Sequence, residues 1–342
     1  MSNLIFSLLI KFDIENDNGP CDPMCSSLYF DYKDIFLQDK IDYANKCEAD
    51  FILVENNDYF DNVWLPEMKE KFPYVSVFDI IQYYKIRLMG LFAEQYDNVL
   101  FMDFDVVYGT KTPPNIFKTF DFSKGIVIRR KTYDKFADHQ YTVAPNSRKA
   151  HISNFLCNVN GIIYNYDGES YNNFIYNYNT GLVGITKQYY ESLNFFDHLE
   201  KNIPKLHIIE FENNYDLTKN TIRYSNEAIF TYCVLKEGLF TQNLGLEWNC
   251  DINPMIIKEH KTIKDWYFLH LSDKQYILDT ISGTSDRDYS GVKLSDEELS
   301  EKFVELTSPV LGSHSTDKLL KNLWMLEQID LSACLTQAMS SK

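Results

Sequence analysis

Two carboxylates one residue apart, Asp103 and Asp105, follow the apolar run Val99-Leu-Phe-Met102 within the segment Asn98–Tyr108. Such a run predicts an interior β-strand. A buried carboxylate is costly unless a cation or several hydrogen bonds compensate it, so an interior strand has no use for unpaired acids. At the strand's C-terminal edge the pair could instead hold a divalent metal, and in open α/β sheets ligands bind at that edge. Oxygen donors suit Mg2+ or Mn2+, which usually complete their coordination with substrate phosphates. The chemistry implied is a metal-assisted reaction of a nucleotide diphosphate, a sugar donor foremost. An Asp-x-Asp alone is common; directly after an apolar strand it is much stronger.

Three further positions could join that pair, each with a plainer alternative. Arg87 lies on the predicted helix before the strand, and Arg suits bidentate contact with phosphate oxygens. Taken alone, it is an exposed helical Arg paired with a nearby acid. In Ser225-Asn-Glu-Ala-Ile-Phe230, Glu227 could face the reaction centre, or simply favour the dipole of the helix that Ser225 caps. His270 ends a late apolar strand, with Lys274 four residues on. A neutral His can complete a Mn2+ site, and Lys can neutralise departing phosphate. A lone strand-end His is more often structural.

These residues need a scaffold that gathers strand ends on one side. Residues 4–12 read as a first parallel strand, 39–47 as a helix and 50–55 as a second strand. Asp79 reads as the N-cap of a helix whose apolar positions Ile80, Ile81, Tyr84, Leu88, Leu91 and Phe92 recur at helical spacing. The aspartate strand comes next. This alternation implies an α/β fold with a parallel, doubly wound sheet. Thr112-Pro-Pro-Asn115 breaks the chain, and Phe122 to Arg130 is a further strand. Residues 131–178 read as an acceptor-binding insertion. Asn179–Ile185 is a strand followed by a helix to about Lys201, and Ser225 starts a helix that runs to Gly238. Trp266–Leu271 is the late strand. Ser282–Ser290 reads as a linker, and 295–338 as amphipathic helices that could pair two copies as a homodimer or cover the acceptor groove.

Size and charge narrow the classes. A chain of 342 residues with 45% hydrophobic residues can bury a large core. A formal charge of −16 argues against a general nucleic-acid binder, which needs a basic face. No apolar run is long enough for a transmembrane segment. The opening Leu4–Ile10 is too short for a secretory leader, so a cytoplasmic protein is predicted. The seven cysteines form no disulfide or zinc framework. The 24 Tyr and 24 Phe are read as core packing in the main rather than as sugar platforms.

Together the motifs resemble the glycogenin-like enzymes, glycosyltransferase family 8 with the GT-A (Rossmann-like) fold, which implies a mixed, mainly parallel sheet flanked by helices. Arg87-Leu-Met-Gly-Leu-Phe-Ala-Glu-Gln-Tyr96 followed by Val99–Asp105 is similar to that family's donor-site segment. Asn179-Thr-Gly-Leu-Val is similar to its Asn-Ser-Gly strand, Asn226-Glu-Ala-Ile-Phe to its Asp-Gln helix, and Leu246-Glu-Trp-Asn249 to its strand ending in Asn. The resemblance covers roughly residues 4–275. It implies a GT-A glycosyltransferase domain over 1–280, a C-terminal linker and helical extension over 281–342, and transfer of a hexose from a UDP-sugar to a glycan or glycoconjugate hydroxyl. Asp103, Asp105 and His270 would hold Mn2+ (or Mg2+). Arg87, Leu8, Phe104 and Lys274 would bind the donor nucleotide and its phosphates with the aspartates. Asn179, Asn226 and Glu227 would line the sugar and acceptor face.

Two departures from the family pattern bear on mechanism. Asn226-Glu227 moves the acid by one position, and helical neighbours point about 100° apart. The tail His270-Leu-Ser-Asp-Lys-Gln-Tyr276 lacks the family's Gly and Pro-Trp. The resemblance favours retention of anomeric configuration, while the displaced acid leaves inversion open. A sugar-nucleotide nucleotidyltransferase is one alternative, but its Gly-rich basic loop would stand where Phe12–Pro20 is acidic with one Gly. A GT-A-like binding module without activity is the other.

Overall fold

Leu4, Ile5 and Phe6 have no exposed surface, and neither do Val99 and Leu100. Strands covered on both faces read as unbroken apolar runs, and these two do. The computed structural model describes residues 2–12, 30, 33–109, 111–131, 156–157, 160, 177–212, 225–251 and 266–270. In chain order the elements are β1 (Asn3–Leu9), α1 (Lys33–Cys47), β2 (Asp50–Glu55), a π-helical turn (Phe60–Trp64) leading into α2 (Leu65–Lys71), α3 (Val77–Ala93), β3 (Asn98–Met102) and β4 (Val106–Tyr108). After the short α4 (Ile116–Thr119) and a 3-10 turn come β5 (Ile126–Lys131), β6 (Asn177–Ile185), α5 (Lys187–Leu193), α6 (Phe195–Glu212), α7 (Ser225–Lys236), β7 (Thr241–Asn243), β8 (Cys250–Asp251) and β9 (Phe268–His270). The chain divides into two compact units, Met1–Ser285 and Asp286–Lys342. The described residues all belong to the first. Most of the acidic loop after β1 and of the predicted insertion, together with Lys274, the linker and the predicted C-terminal helices, lies outside the described residues.

Six strands form a mixed sheet in the order β2-β1-β3-β6-β5-β7. β1 pairs parallel with β2 and β3, and β5 with β7, while β6 runs antiparallel to both β3 and β5. The sheet is therefore mainly parallel, with one reversed strand inside it. Side chains alternate between two cores. Leu4, Phe6, Val99, Phe101 and Val183 face α3, α6 and α7 on one side; Ile5, Leu100, Met102 and Leu182 meet Tyr43 and Cys47 of α1 on the other. This is a Rossmann-like α/β architecture, the helix-flanked sheet predicted from the motif order. A second sheet of three short strands, β4-β9-β8, sits on the α1 side, where Phe268 joins the second core.

Several boundaries differ from the predicted ones. Ser76, not Asp79, caps α3: its side chain accepts from the Asp79 N–H at 3.1 Å. Asp79 is instead in the first turn, and its carboxylate accepts from the Ser76 hydroxyl (3.1 Å) and from the Ser225 N–H (3.0 Å). A Ser followed three residues later by an acid is a capping-box arrangement, which explains the shift. The predicted strand at Leu246–Asn249 is a 3-10 turn over Leu246–Trp248, with β8 only after it. The helix after β6 breaks at Asn194, whose φ of 47° ends α5 in the left-handed region that Asn tolerates. Among the described residues Cys47, Cys157 and Cys233 are buried free thiols, and no helix is long and apolar enough to cross a membrane.

Candidate metal centre

β3 stops at Met102 because the backbone turns there. The Asp103 N–H bonds to the Gly181 carbonyl (2.7 Å), and the Val106 N–H bonds back to the Asp103 carbonyl (3.0 Å). That turn carries the chain from the large sheet into β4 of the small one. β4 then pairs antiparallel with β9 in the register Val106↔His270. The aspartates and the histidine are brought together by this pairing. One ligand atom from each of Asp103, Asp105 and His270 lies within 4.8 Å of the others. His270 Nε2 is 3.4 Å from Asp105 Oδ1 and 3.7 Å from Asp103 Oδ2. Adjacent ligands of an octahedral ion with bonds of about 2.1 Å stand about 3.0 Å apart, so a small closing movement accommodates one. Two carboxylates and an imidazole fit Mn2+ or Mg2+.

The electrostatics fit a cation too. Burial raises the Asp103 pKa above the usual carboxylate value, Lys85 opposes the shift, and Asp105 adds to it. Concentrated like charges out of water need a counter-ion. Part of it is Lys85, buried on α3, whose Nζ is 3.5 Å from Asp103 Oδ1 and donates to the Thr180 carbonyl at 3.1 Å. Lys85 thereby engages one carboxylate oxygen and leaves the other, Oδ2, on the His270 side. Sequence reasoning missed this residue. Its signal was there: Lys85 is in phase with Ile81, Leu88 and Phe92, a lysine on an apolar stripe.

Arg87 is not brought to the aspartates. Two residues along a helix is a rotation of about 200°, which turns it to the far side from Lys85. There it bonds the hydroxyl of Tyr190 on α5. Phe104 is buried, with its ring edge-on to Phe36 of α1 at 5.7 Å, so its side chain points into the core. Leu8 is partly buried near the end of β1, opposite Val54.

β6 supplies the opposite wall. Because it is reversed, its early residues stand at the same edge as the end of β3. Asn179 Oδ1 accepts from the Gly181 N–H and from Asn249 Nδ2, both at 2.8 Å. Asn226, at the start of α7, donates to Thr180 Oγ1 at 2.9 Å. Glu227 is buried beside it, close enough that its charge raises the Asp103 pKa further. Asn179 thus stands by Gly181 and His270, Asn226 by Thr180, and Glu227 within electrostatic reach of Asp103.

Gly181 is what lets the histidine in. A Cβ built there would lie 2.6 Å from His270 Cε1 and 2.9 Å from Asn179 Oδ1. Gly181→Ala is expected to push the imidazole out of register and weaken Mn2+ binding by at least about tenfold, the usual cost of disturbing a ligand's support. Titration calorimetry with Mn2+ reads this directly; unchanged affinity would separate His270 from the site.

No protein-family model matches the chain, and no curated protein does. Among solved structures, the chain is similar to a glycosyltransferase involved in the glycosylation of the major capsid of PBCV-1, at 15% identity over 82% of this chain and 98% of that one, with a TM-score of 0.38. It is similar to mouse xyloside xylosyltransferase 1 at 12% identity, over 80% of this chain and 98% of that one, with a TM-score of 0.44. It is also similar to the galactosyltransferase LgtC in complex with donor and acceptor sugar analogues, at 13% identity over 78% and 86%, with a TM-score of 0.39.

Proposed function

We propose that the protein is a glycosyltransferase that moves a hexose from a UDP-sugar to a hydroxyl of a glycan or glycoconjugate, with Mn2+ or Mg2+ and with retention at the anomeric carbon. The observation that carries this reading is the Asp103, Asp105 and His270 cluster at the edge of the central strand, backed by buried Lys85. The motif order that resembles glycosyltransferase family 8 supplies the sugar donor. The catalytic unit in this reading is residues 1–280. The scattered cysteines suit a reducing setting such as the cytoplasm.

A divalent ion at this cluster would supply positive charge to offset that building on the departing UDP oxygen. Asp103 and Asp105 supply its anionic ligands and His270 its nitrogen. Lys85 opposes the rise of the Asp103 pKa and orients the carboxylate through Oδ1. In this reading Lys274 contacts the diphosphate, and Asn179, Asn226 and Glu227 orient the sugar and the incoming hydroxyl. What supports retention is the resemblance to glycosyltransferase family 8. An inverting base belongs on the opposite face of the sugar.

The test is UDP release from a panel of UDP-sugars, with Mn2+ and after EDTA. Release that needs the metal and returns on adding it back supports transfer chemistry. Metal-independent release, or pyrophosphate release from UTP and a sugar phosphate, overturns it.

A further inference from the structure

Among the described residues β4 is an edge strand of the small sheet, and side chains of α1 rather than a strand meet its outer edge. The Gly109 N–H bonds to the Tyr267 carbonyl (2.8 Å) on the β9 side. Backbone groups alternate in direction along a strand, so the Val106 carbonyl and the Tyr108 N–H point the other way, towards α1. Lys40 Nζ donates to the Val106 carbonyl at 2.5 Å, and Asp39 Oδ2 accepts from the Tyr108 N–H at 3.0 Å. Two consecutive side chains thus complete the hydrogen bonding a partner strand would supply. Lys40 is fully buried, with its ammonium 5.4 Å from the centre of the Phe104 ring. Burial lowers its pKa to about 8, and Asp39, Asp105 and Asp103 act to restore it. A buried ammonium is an expensive way to satisfy one carbonyl, so its place beneath the aspartate turn asks for a role there.

We propose that Asp39 and Lys40 form a clamp on β4 that sets the spacing between Asp105 and His270, making them positioning residues for the metal. β4 begins one residue after Asp105 and pairs with the strand that ends in His270. A shift of β4 changes the distance between two of the three ligands. The inference rests on the metal reading above.

The experiment measures Mn2+ binding to the full chain in the presence of UDP, by electron paramagnetic resonance of the free ion. Asp39→Ala and Lys40→Met are each expected to weaken binding by at least about tenfold, as losses of ligand support do. The Mn2+ concentration for half-maximal UDP release should rise in step, with kcat at saturating Mn2+ close to wild type. Asp39→Asn keeps an acceptor for the Tyr108 N–H and should bind like wild type. Lys40→Met removes a nearby positive charge, which by charge alone would tighten the ion. A weaker site in that variant therefore reports geometry. A folded Asp39→Ala with wild-type affinity, or a Lys40→Met that binds more tightly, overturns the clamp. If Lys40→Met does not fold, the two Asp39 variants decide. If the wild-type chain takes up no Mn2+, the metal reading itself fails and the clamp falls with it, a result distinct from wild-type uptake with indifferent variants.

Discussion

Asp103→Ala and Asp105→Ala are each expected to lower metal-dependent donor turnover by at least about a thousandfold, equivalent to about 4 kcal/mol of transition-state stabilisation. Each removes one of two anionic ligands, and the imidazole with one carboxylate is a poor site for a hard divalent ion. The fold should survive, because β3 is held by the packing of Val99, Leu100, Phe101 and Met102 rather than by the acids that follow. The two variants should differ in stability. Asp103→Ala leaves the buried Lys85 ammonium without that carboxylate, which destabilises the fold by less than the roughly 3–5 kcal/mol of a fully buried pair because Asp103 is partly exposed. Circular dichroism melts beside UDP-release kinetics separate the two effects. Near-full turnover in either variant would remove the metal assignment.

Lys85→Met should be the second most damaging change, with kcat/KM down by about a hundredfold or more, while Arg87→Ala stays close to wild type. Truncating a buried charge that has an ion-pair partner costs a few kcal/mol. Lys85 restrains Asp103 Oδ1 and the Thr180 carbonyl together, so its loss frees the carboxylate to rotate. The Arg87 guanidinium, against Tyr190, restrains neither. Equal losses in the two variants, or a greater loss in Arg87→Ala, would show that the donor is approached from the α5 side of α3.

The contrast between these two residues shows how far the sequence could be read. The apolar run before Asp103, the late His270 and the polar start of β6 are each legible, because burial and strand periodicity leave a clear pattern. Their convergence follows from an α/β sheet with ligands at its edge. What a spacing argument cannot carry is rotation about a helix axis: Lys85 and Arg87 are nearly equivalent as letters and on opposite sides as structure. The reversal of β6 was equally invisible, since a strand buried at every residue reads the same in either direction. β8 and β9, of two and three residues, are too short to show any period. Asp39 and Lys40 look like neighbouring surface charges on a helix, and only the register of β4 reveals that their partners are backbone groups.

The division of the ligands between two sheets has a last consequence. Asp103 hangs from the wide sheet, whereas His270 belongs to the narrow one, whose strands are only two or three residues long. An ion shared between them would be a rivet through two layers, and its binding energy would add to the cohesion of the weaker layer. Occupancy and rigidity then rise together, so that slowed amide exchange at Leu269 and Val107 would serve as a gauge of saturation needing no sugar at all.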